Sequence, residues 1–379
     1  MSATPGGALV SATAPRRLGR ANVLLLATAV TLTAVGLVMI LSASSVEAYQ
    51  RYGSSFMFFN RQVIGAAAGL VAMIVASSVD YRRIRKFVAP MLLVSVGLLV
   101  AVLIPGIGQT RGGSSRWLVA GPFTFQPSEL VKLALVIYVA HLLDRKGSKI
   151  ADFKEMAVPL LPVTALVCLL IIAQPDLGTM IVCAGIVFAM LFLAGARWKH
   201  IAALAAVGLL SVAALAFSEG YRRERVFSFL DPWADPLDTG YQNIQGQIAL
   251  GSGGWLGVGL GESRQKWSYI PNAHTDFIFA IVGEELGLVG TMSILLLFLF
   301  LLYLGARIAR KAPDKLGFLI GGGVTAWIGM QALINMSAVA GLVPITGVPL
   351  PLISFGGSSL VFTMTGIGIL LSIARRARK

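Results

Sequence analysis

The sequence predicts an all-α polytopic membrane protein, and its composition supports that fold class in three ways. Hydrophobic residues make up 56% of the 379 residues and charged residues only 13%, whereas about a quarter of the residues in a soluble domain are charged. The mean hydropathy is +0.80. Apolar runs of about 20 residues, the length that crosses a bilayer, recur along the whole chain. Because a bilayer offers no water to backbone polar groups, such spans must be helices.

These runs predict ten transmembrane helices. The predicted spans are 21–43, 59–79, 87–105, 127–143, 156–173, 178–196, 201–217, 276–304, 316–340 and 353–373. The first run is too long for a signal-peptide core and is followed by no small-residue cleavage site, so it is interpreted as the first span.

The positions of lysine and arginine predict the orientation, because cytoplasmic loops are enriched in both. Most of the 31 basic residues share one side of the membrane if both termini are cytoplasmic. Their clusters lie at 16–20, 82–86, 145–154, 307–315 and 375–379. The net charge of +14 is therefore attributed to membrane topology, and no nucleic-acid partner is expected.

We expect one membrane domain over residues 1–379, with a cytoplasmic tail at 1–20 and a large extracytoplasmic loop at 218–275, between helices seven and eight. A loop of that length is usually functional or disordered. Its aromatic content favours a folded loop at the membrane surface. The aromatic residues concerned are Trp233, Tyr241, Trp255, Trp267 and Tyr269.

Several common sites are not expected. Cys168 and Cys183 lie inside apolar runs and indicate packing residues, not a disulfide. The three histidines lack the spacing of zinc ligands. The glycines at 251–261 are not followed by Gly-Lys-Ser/Thr, so a nucleotide site is not predicted.

Asp276 is the candidate catalytic residue. It lies where the polar loop enters the eighth span, after Pro271 and next to Thr275, which can cap the incoming helix. The helix N-terminus favours the carboxylate, whereas apolar surroundings favour the neutral acid. Such a group can act as a general base. The alternative is a helix-terminal acid without a catalytic role.

Basic residues on the outer side are candidates for binding a pyrophosphate, because arginine and lysine suit phosphate oxygens. Their outer position opposes the topological bias. The alternative is that they bind lipid headgroups or pair with Glu219, Glu224 and Asp231. The candidates are Lys266, Arg116, Arg222, Arg223 and Arg225, with Arg264 beside them.

Charged and amide residues inside the predicted spans form a second group, because such residues usually face the bundle interior. Glu129 and Lys132 are three residues apart and can pair, as an ion pair or as substrate contacts. Glu284 is interpreted as structural, and Gln331 and Asn335 are expected to bond across helices. The proline- and glycine-containing segment 347–359 predicts a broken helix or re-entrant loop.

Six fragments, in this order, resemble the SEDS family of RodA/FtsW-type peptidoglycan polymerases. They are SASS at 42–45, RWLVAGPFTFQPSELVK at 116–132, QPDLGT at 174–179, the DP…TGYQ…GSGG…QK region at 231–266, HTDFIFAIVGEELG at 274–287 and PLISFGG at 351–357. The resemblance covers nearly the whole chain. It adds Gln174 and Asp176 of the QPDLGT turn as supporting residues. Asn272 departs from the pattern, since many relatives carry glutamate there.

The resemblance implies a glycosyltransferase that polymerises lipid II, the undecaprenyl-pyrophosphate-linked disaccharide pentapeptide, on the outer face of the bacterial cytoplasmic membrane. In this family the aspartate of the TDF motif, here Asp276, is the proposed base for the acceptor hydroxyl. Undecaprenyl pyrophosphate would leave with inversion, and the basic residues would stabilise its charge. A divalent cation, Mg²⁺ or Mn²⁺, held by Asp231, Asp235 or Asp238 could assist departure of the pyrophosphate, and the alternative is that these acids belong to a turn-rich loop surface.

The motifs look more like the division-type FtsW branch than the elongation-type branch. The resemblance implies a partner transpeptidase, a class B penicillin-binding protein, together with other divisome or elongasome membrane proteins. Two other functions stay open at this point. One is a lipid II flippase that depends on Glu129, Lys132 and Glu284, and the other is a non-catalytic division scaffold.

Overall fold

A computed structural model describes residues 19–111, 114–121, 123–267, 270–271 and 273–377. Residues 1–18 of the predicted tail, together with Tyr269, Asn272 and residues 378–379, lie outside the described residues. Over the described part the protein is an all-α, multi-pass membrane protein with one small sheet.

The structure contains twelve α-helices and three strands within the described residues. The helices are α1 Arg20–Tyr52, α2 Met57–Ser78, α3 Val88–Leu103, α4 Pro127–Lys146, α5 Phe153–Ile172, α6 Leu177–Leu193, α7 Trp198–Ser218, α8 Gly220–Leu230, α9 Tyr241–Ser252, α10 Ile278–Arg310, α11 Lys315–Val339 and α12 Gly357–Arg376. The strands are β1 Gly108–Arg111, β2 Ser114–Ala120 and β3 Phe123–Phe125, and short 3-10 turns cover Tyr81–Phe87, Gly147–Ala151 and Pro232–Ala234.

Each of the ten predicted spans coincides with a helix, in the predicted order. In the part of the chain that the structure describes, eight helices are long and apolar enough to cross a membrane. α6 is apolar but shorter, and α4 carries Glu129 and Lys132 within its first two turns. The count of ten spans and the cytoplasmic side of the termini stay predictions.

Three local predictions of the sequence differ from the structure. Strands β1, β2 and β3 form an antiparallel sheet in that order, which the hydropathy pattern did not predict because the strands are only three to seven residues long. The expected long loop at 218–275 contains two helices, α8 and α9. Helix α10 begins at Ile278, so the residues expected to open it lie in a turn.

The outer loop packs into a break in α10. Gly287 has φ 65° and ψ −161°, which interrupts the helix. The loop backbone bonds on both sides of this break: Leu288 N–H donates to Gly254 O at 2.9 Å and Val258 N–H donates to Glu284 O at 3.0 Å. A Cβ atom on residue 287 would lie 2.4 Å from Gly257 N. Glycine is therefore required here both by conformation and by space.

The chain between α11 and α12 is not helical, which confirms the predicted break in the final helix. Its apolar side chains Val348, Leu350 and Ile353 are buried in the core. α12 packs mainly on α2, and α10 packs on α11, α1 and α9. This arrangement places the chain after α11 beside the start of α10, which is where the candidate site lies.

Candidate active site

Asp276 lies in the turn immediately before α10. The residue that caps the helix is Phe277, which makes no side-chain capping bond. The prediction that Thr275 caps this helix is therefore wrong. Instead, the Thr275 hydroxyl donates to Asp276 Oδ1 at 2.8 Å. The turn places the carboxylate beside the helix without tying it to the backbone N–H groups of the first helical turn.

The carboxylate of Asp276 faces a very small cavity, with a volume of about 10 Å³. The side chain is half-buried. The wall of this cavity is formed by the start of α10, the end of α11 and the chain that follows α11. The lining residues include Phe277, Asn335, Val339, Ile345, Thr346 and Gly347.

Burial raises the pKa of Asp276 above its ordinary value. The hydrogen bond from Thr275, a hydrogen bond from the residue's own backbone N–H and the positive charge of Arg225 lower the pKa but do not cancel the effect of burial. A carboxylate with a raised pKa accepts a proton more readily, which is the property that a general base near neutral pH requires.

Asn335 holds the backbone on two sides of the cavity. Its Nδ2 atom donates to the carbonyl of Asp276 at 2.7 Å and to the carbonyl of Val348 at 2.8 Å. One turn earlier on α11, Gln331 Nε2 donates to the carbonyl of Pro349 at 3.0 Å. The prediction that these two amides bond across helices holds for Gln331, whose Oε1 accepts from Lys132 of α4, whereas Asn335 bonds to non-helical backbone instead. Together they fix the position of the 346–349 chain relative to Asp276.

Glu129 and Lys132 form an ion pair of 2.8 Å, and each side chain is only 1% exposed. Lys132 Nζ also donates to Gln331 Oε1 at 2.8 Å, and the same oxygen accepts from Trp327 Nε1 at 2.9 Å. The pair thus connects α4 to the amide that supports the 346–349 chain. Of the two open interpretations, these contacts favour the structural one, and a substrate contact stays a prediction.

Arg116 on β2 is held by the QPDLGT turn. Its guanidinium donates to the carbonyls of Gln174, at 3.2 Å, and Pro175, and it lies 3.6 Å from Asp176 Oδ2. Asp176 also caps α6 by accepting from Thr179 N–H at 3.1 Å. Protein groups therefore occupy much of the hydrogen-bonding capacity of the Arg116 guanidinium. Its role in binding pyrophosphate stays a prediction.

The QPDLGT turn also touches the wall of the cavity. Gln174 Nε2 donates to the carbonyl of Leu99 at 3.1 Å, which ties the turn to α3. A Cβ atom on Gly178 would lie 2.6 Å from Thr346 O. The turn and the 346–349 chain thus pack backbone against backbone, which explains why glycine is needed at that position.

Glu284 anchors the outer loop to α10. Its carboxylate accepts from the Ser263 hydroxyl, from Arg264 N–H at 2.9 Å and from Gln265 N–H at 3.4 Å. Lys266, in the same turn, is buried and donates to the carbonyl of Gly261. The contacts of Glu284 favour its structural interpretation. The ammonium group of Lys266 is bound to the backbone of its own loop.

The three arginines of α8 have different surroundings. Arg225 is exposed, lies 3.4 Å from the carbonyl of Ile345 through Nη1, and acts electrostatically on Asp276. Arg222 contacts the carbonyl of Leu215 and the Ser218 hydroxyl, each at 3.4 Å. Arg223 is exposed. Of these three arginines, Arg225 is therefore the one that the structure places beside the candidate site.

His274 lies beside the candidate site and connects it to α1 and α2. Its Nδ1 atom lies 3.3 Å from Glu47 Oε2 on α1, and its ring packs on Phe58 and Phe355 at centroid distances of 4.4 and 5.4 Å. The Phe355 N–H donates to the His274 carbonyl at 2.9 Å. In the sequence, His274 opens the HTDFIFAIVGEELG fragment, but nothing there indicated its contact with Glu47.

No group of three or more histidine, cysteine or acidic residues is gathered for metal binding in the described parts of the chain. In particular, Asp231, Asp235 and Asp238 do not form such a group. The carboxylate of Asp235 instead accepts from Thr239 at 3.3 Å within its own turn.

These features define a multi-pass membrane protein that carries a half-buried carboxylate at the start of a membrane-spanning helix. The family model FtsW/RodA/SpoVE, described as cell cycle protein, matches residues 22–379. The chain therefore belongs to the FtsW/RodA/SpoVE family.

Two relatives and one solved structure illustrate the similarity. The probable peptidoglycan glycosyltransferase FtsW of Geobacter metallireducens is 42% identical over 363 residues, which cover 96% of this chain and 97% of the relative. The stage V sporulation protein E of Bacillus subtilis is 43% identical over 357 residues, covering 94% and 98%. A chain in a peptidoglycan synthase complex that coordinates polymerization and crosslinking has a TM-score of 0.76 and 33% identity, covering 93% of this chain and 96% of that chain.

Proposed function

We propose that this protein is a peptidoglycan glycosyltransferase that joins lipid II units into glycan strands. The observation that carries the proposal is the position of the Asp276 carboxylate, which faces a small cavity at the start of α10. The positive charge of Arg225 acts on this carboxylate. Membership of a family that includes probable peptidoglycan glycosyltransferases supports the same reaction.

In the proposed reaction Asp276 takes the proton of the acceptor sugar's 4-hydroxyl. The oxygen attacks the anomeric carbon of the lipid-linked donor, the carbon–oxygen bond to the pyrophosphate breaks, and its electron pair leaves with undecaprenyl pyrophosphate. The anomeric configuration inverts. The raised pKa of Asp276 suits it to accept this proton.

Charge that develops on the leaving pyrophosphate needs nearby cations. Arg225 fits this role best, because it is exposed and lies close enough to Asp276 to lower its pKa. Arg222 and Arg223 lie on the same helix and extend the positive surface. A divalent cation, if used, would arrive with the substrate, since Mg²⁺ is commonly held by substrate phosphates and few protein groups.

We place the reaction on the outer face of the bacterial cytoplasmic membrane, and we infer that a class B penicillin-binding protein crosslinks the product. The arginine and lysine distribution supports the orientation. The likeness to a chain of a complex that coordinates polymerization and crosslinking supports the partner. The relatives named FtsW favour a role in division.

The test is glycan-strand formation from purified lipid II by the chain with its partner transpeptidase. We expect the wild type to form polymer and Asp276→Asn, a nearly isosteric variant, to form none. Glu262→Gln, which neutralises an exposed acid of the outer loop, is the matched control and should keep activity. Activity in Asp276→Asn would remove this residue as the base, and inactivity of the folded wild type would favour lipid II flipping, which a vesicle transport assay detects.

A further inference from the structure

The side chain of Asn335 has one atom that its structural role does not use. Both Nδ2 hydrogens point at backbone carbonyls, those of Asp276 and Val348. Since a carbonyl can only accept, this pattern also fixes which side-chain atom is nitrogen and which is oxygen. The Oδ1 atom is buried and has no hydrogen-bond partner, and the residue is only 2% exposed.

Thr346 presents a second polar atom of the same kind. Its backbone is held against the QPDLGT turn, with Thr346 O close to Gly178. Its hydroxyl oxygen is buried and also lacks a hydrogen-bond partner. Buried polar side-chain atoms without partners are uncommon in native proteins, and each calls for an explanation.

Asn335 and Thr346, which carry the two unpartnered oxygens, line the same cavity as Asp276. The cavity volume is about 10 Å³, close to the smallest volume that holds one water-sized oxygen. Asp276, Thr346 and Asn335 therefore surround a space that fits a single hydroxyl group, with one side open because Asp276 is only half-buried.

We propose that Thr346 and Asn335 bind the acceptor sugar and position its attacking hydroxyl against Asp276. This inference rests on the proposed function. The Thr346 hydroxyl donates to a lone pair of the attacking oxygen, whose own proton points at the Asp276 carboxylate. Asn335 Oδ1 accepts from the same hydroxyl, so that its one proton is shared between the amide oxygen and the Asp276 carboxylate before it is transferred.

This arrangement orients the reaction without adding a chemical step. As the oxygen attacks the anomeric carbon, its proton passes to Asp276 and the pyrophosphate leaves with the electron pair of the broken bond. Thr346 and Asn335 keep their protons throughout. They are substrate-positioning residues, and their contribution depends on holding the acceptor in an attacking geometry.

The assay uses a single coupling step by the chain with its partner transpeptidase, so that donor and acceptor are varied separately. The donor is lipid II whose terminal 4-hydroxyl is replaced by hydrogen, which prevents it from acting as acceptor. The acceptor is a lipid II analogue in which a CH₂ group replaces the oxygen between the anomeric carbon and the pyrophosphate, so that it cannot act as donor, and it is present at a series of concentrations. Initial rates then provide a KM for each substrate.

Thr346→Val is the decisive variant, because it keeps the shape of the side chain and removes only the hydroxyl. We expect an acceptor KM about ten-fold higher or a coupling rate about ten-fold lower, the effect of losing roughly one hydrogen bond. The donor KM should stay unchanged. Thr346→Ser, which restores the hydroxyl, should recover most of the activity.

Two controls separate binding from stability. The unpartnered Thr346 hydroxyl makes no hydrogen bond in the folded protein, so the melting temperature of Thr346→Val should not fall. Thr164→Val removes a hydroxyl that bonds only its own helix, to Leu160 O at 2.9 Å, and should leave both KM values unchanged.

The inference is overturned if Thr346→Val has both the acceptor KM and the coupling rate of the wild type, or if its donor and acceptor KM values rise together. Failure of the proposed function looks different, because the wild type itself would then form no coupled product.

Discussion

The side chain of Asn335 on α11 donates a hydrogen bond of 2.7 Å to the backbone carbonyl of Asp276. The two residues are 59 positions apart in the chain, and this bond places the candidate base relative to the rest of the cavity. The second Nδ2 bond, to Val348 O, ties the opposite wall to the same amide. One side chain therefore sets the distance between the carboxylate and the 346–349 chain.

Replacing this amide should destabilise the protein. Asn335→Ala leaves two backbone carbonyls without donors, and each buried unsatisfied acceptor costs about 1–3 kcal/mol. We expect a lower melting temperature in detergent and little polymerisation. Asn60→Ala removes an exposed amide on α2 and should melt like the wild type. An unchanged melting temperature for Asn335→Ala would mean that the two bonds do not contribute to stability.

The buried ion pair of Glu129 and Lys132 predicts a non-additive result. Lys132→Met leaves the Glu129 charge buried without its partner, which typically costs about 3–5 kcal/mol. The double variant Glu129→Gln, Lys132→Met removes both charges and should regain much of that free energy of unfolding. Melting temperatures of the two variants and the wild type test this. A double variant less stable than Lys132→Met would show that the charges do not stabilise each other.

Polymerisation should depend on pH through Asp276. The base works in its deprotonated form, so activity falls as the pH drops through its pKa, which burial raises above the ordinary aspartate value. Arg225 lowers that pKa. Arg225→Gln should therefore move the acid limb of the pH–rate profile to higher pH.

Two comparisons sharpen this pH prediction. Arg223→Gln removes the same charge from another exposed position of α8 and should leave the position of the acid limb unchanged. High salt should move the limb of the wild type in the same direction as Arg225→Gln, because Arg225 is exposed to screening ions. If the acid limb of Arg225→Gln stays where it is in the wild type, Arg225 does not affect the pKa of the catalytic base.

Glu284 should control the order of the outer loop. In Glu284→Leu, the amides of Arg264 and Gln265 lose their acceptor, so their hydrogen exchange should become faster. The exposed Glu262→Gln in the same loop is the control and should not change it. Unchanged protection of both amides in Glu284→Leu would show that the loop is held by its contacts with the Gly287 break alone.

The sequence by itself determined the features that depend on short stretches of the chain. Hydropathy identified ten of the twelve α-helices in the described residues, because burial in lipid demands long apolar runs whatever their neighbours are. The position of Asp276 at a helix entrance followed from Pro271 and the apolar run after it. The break before α12 followed from its prolines and glycines.

What only the tertiary structure decided is which side chains meet. Lys266 and Arg225 are both basic residues of one outer region, but the fold directs the first into its own loop and the second towards Asp276. Arg116 is held by the distant QPDLGT turn. His274 and Thr346 join the site through packing against other helices and turns. Such contacts depend on how distant segments cross in space, and hydropathy and local motifs carry no information about that crossing.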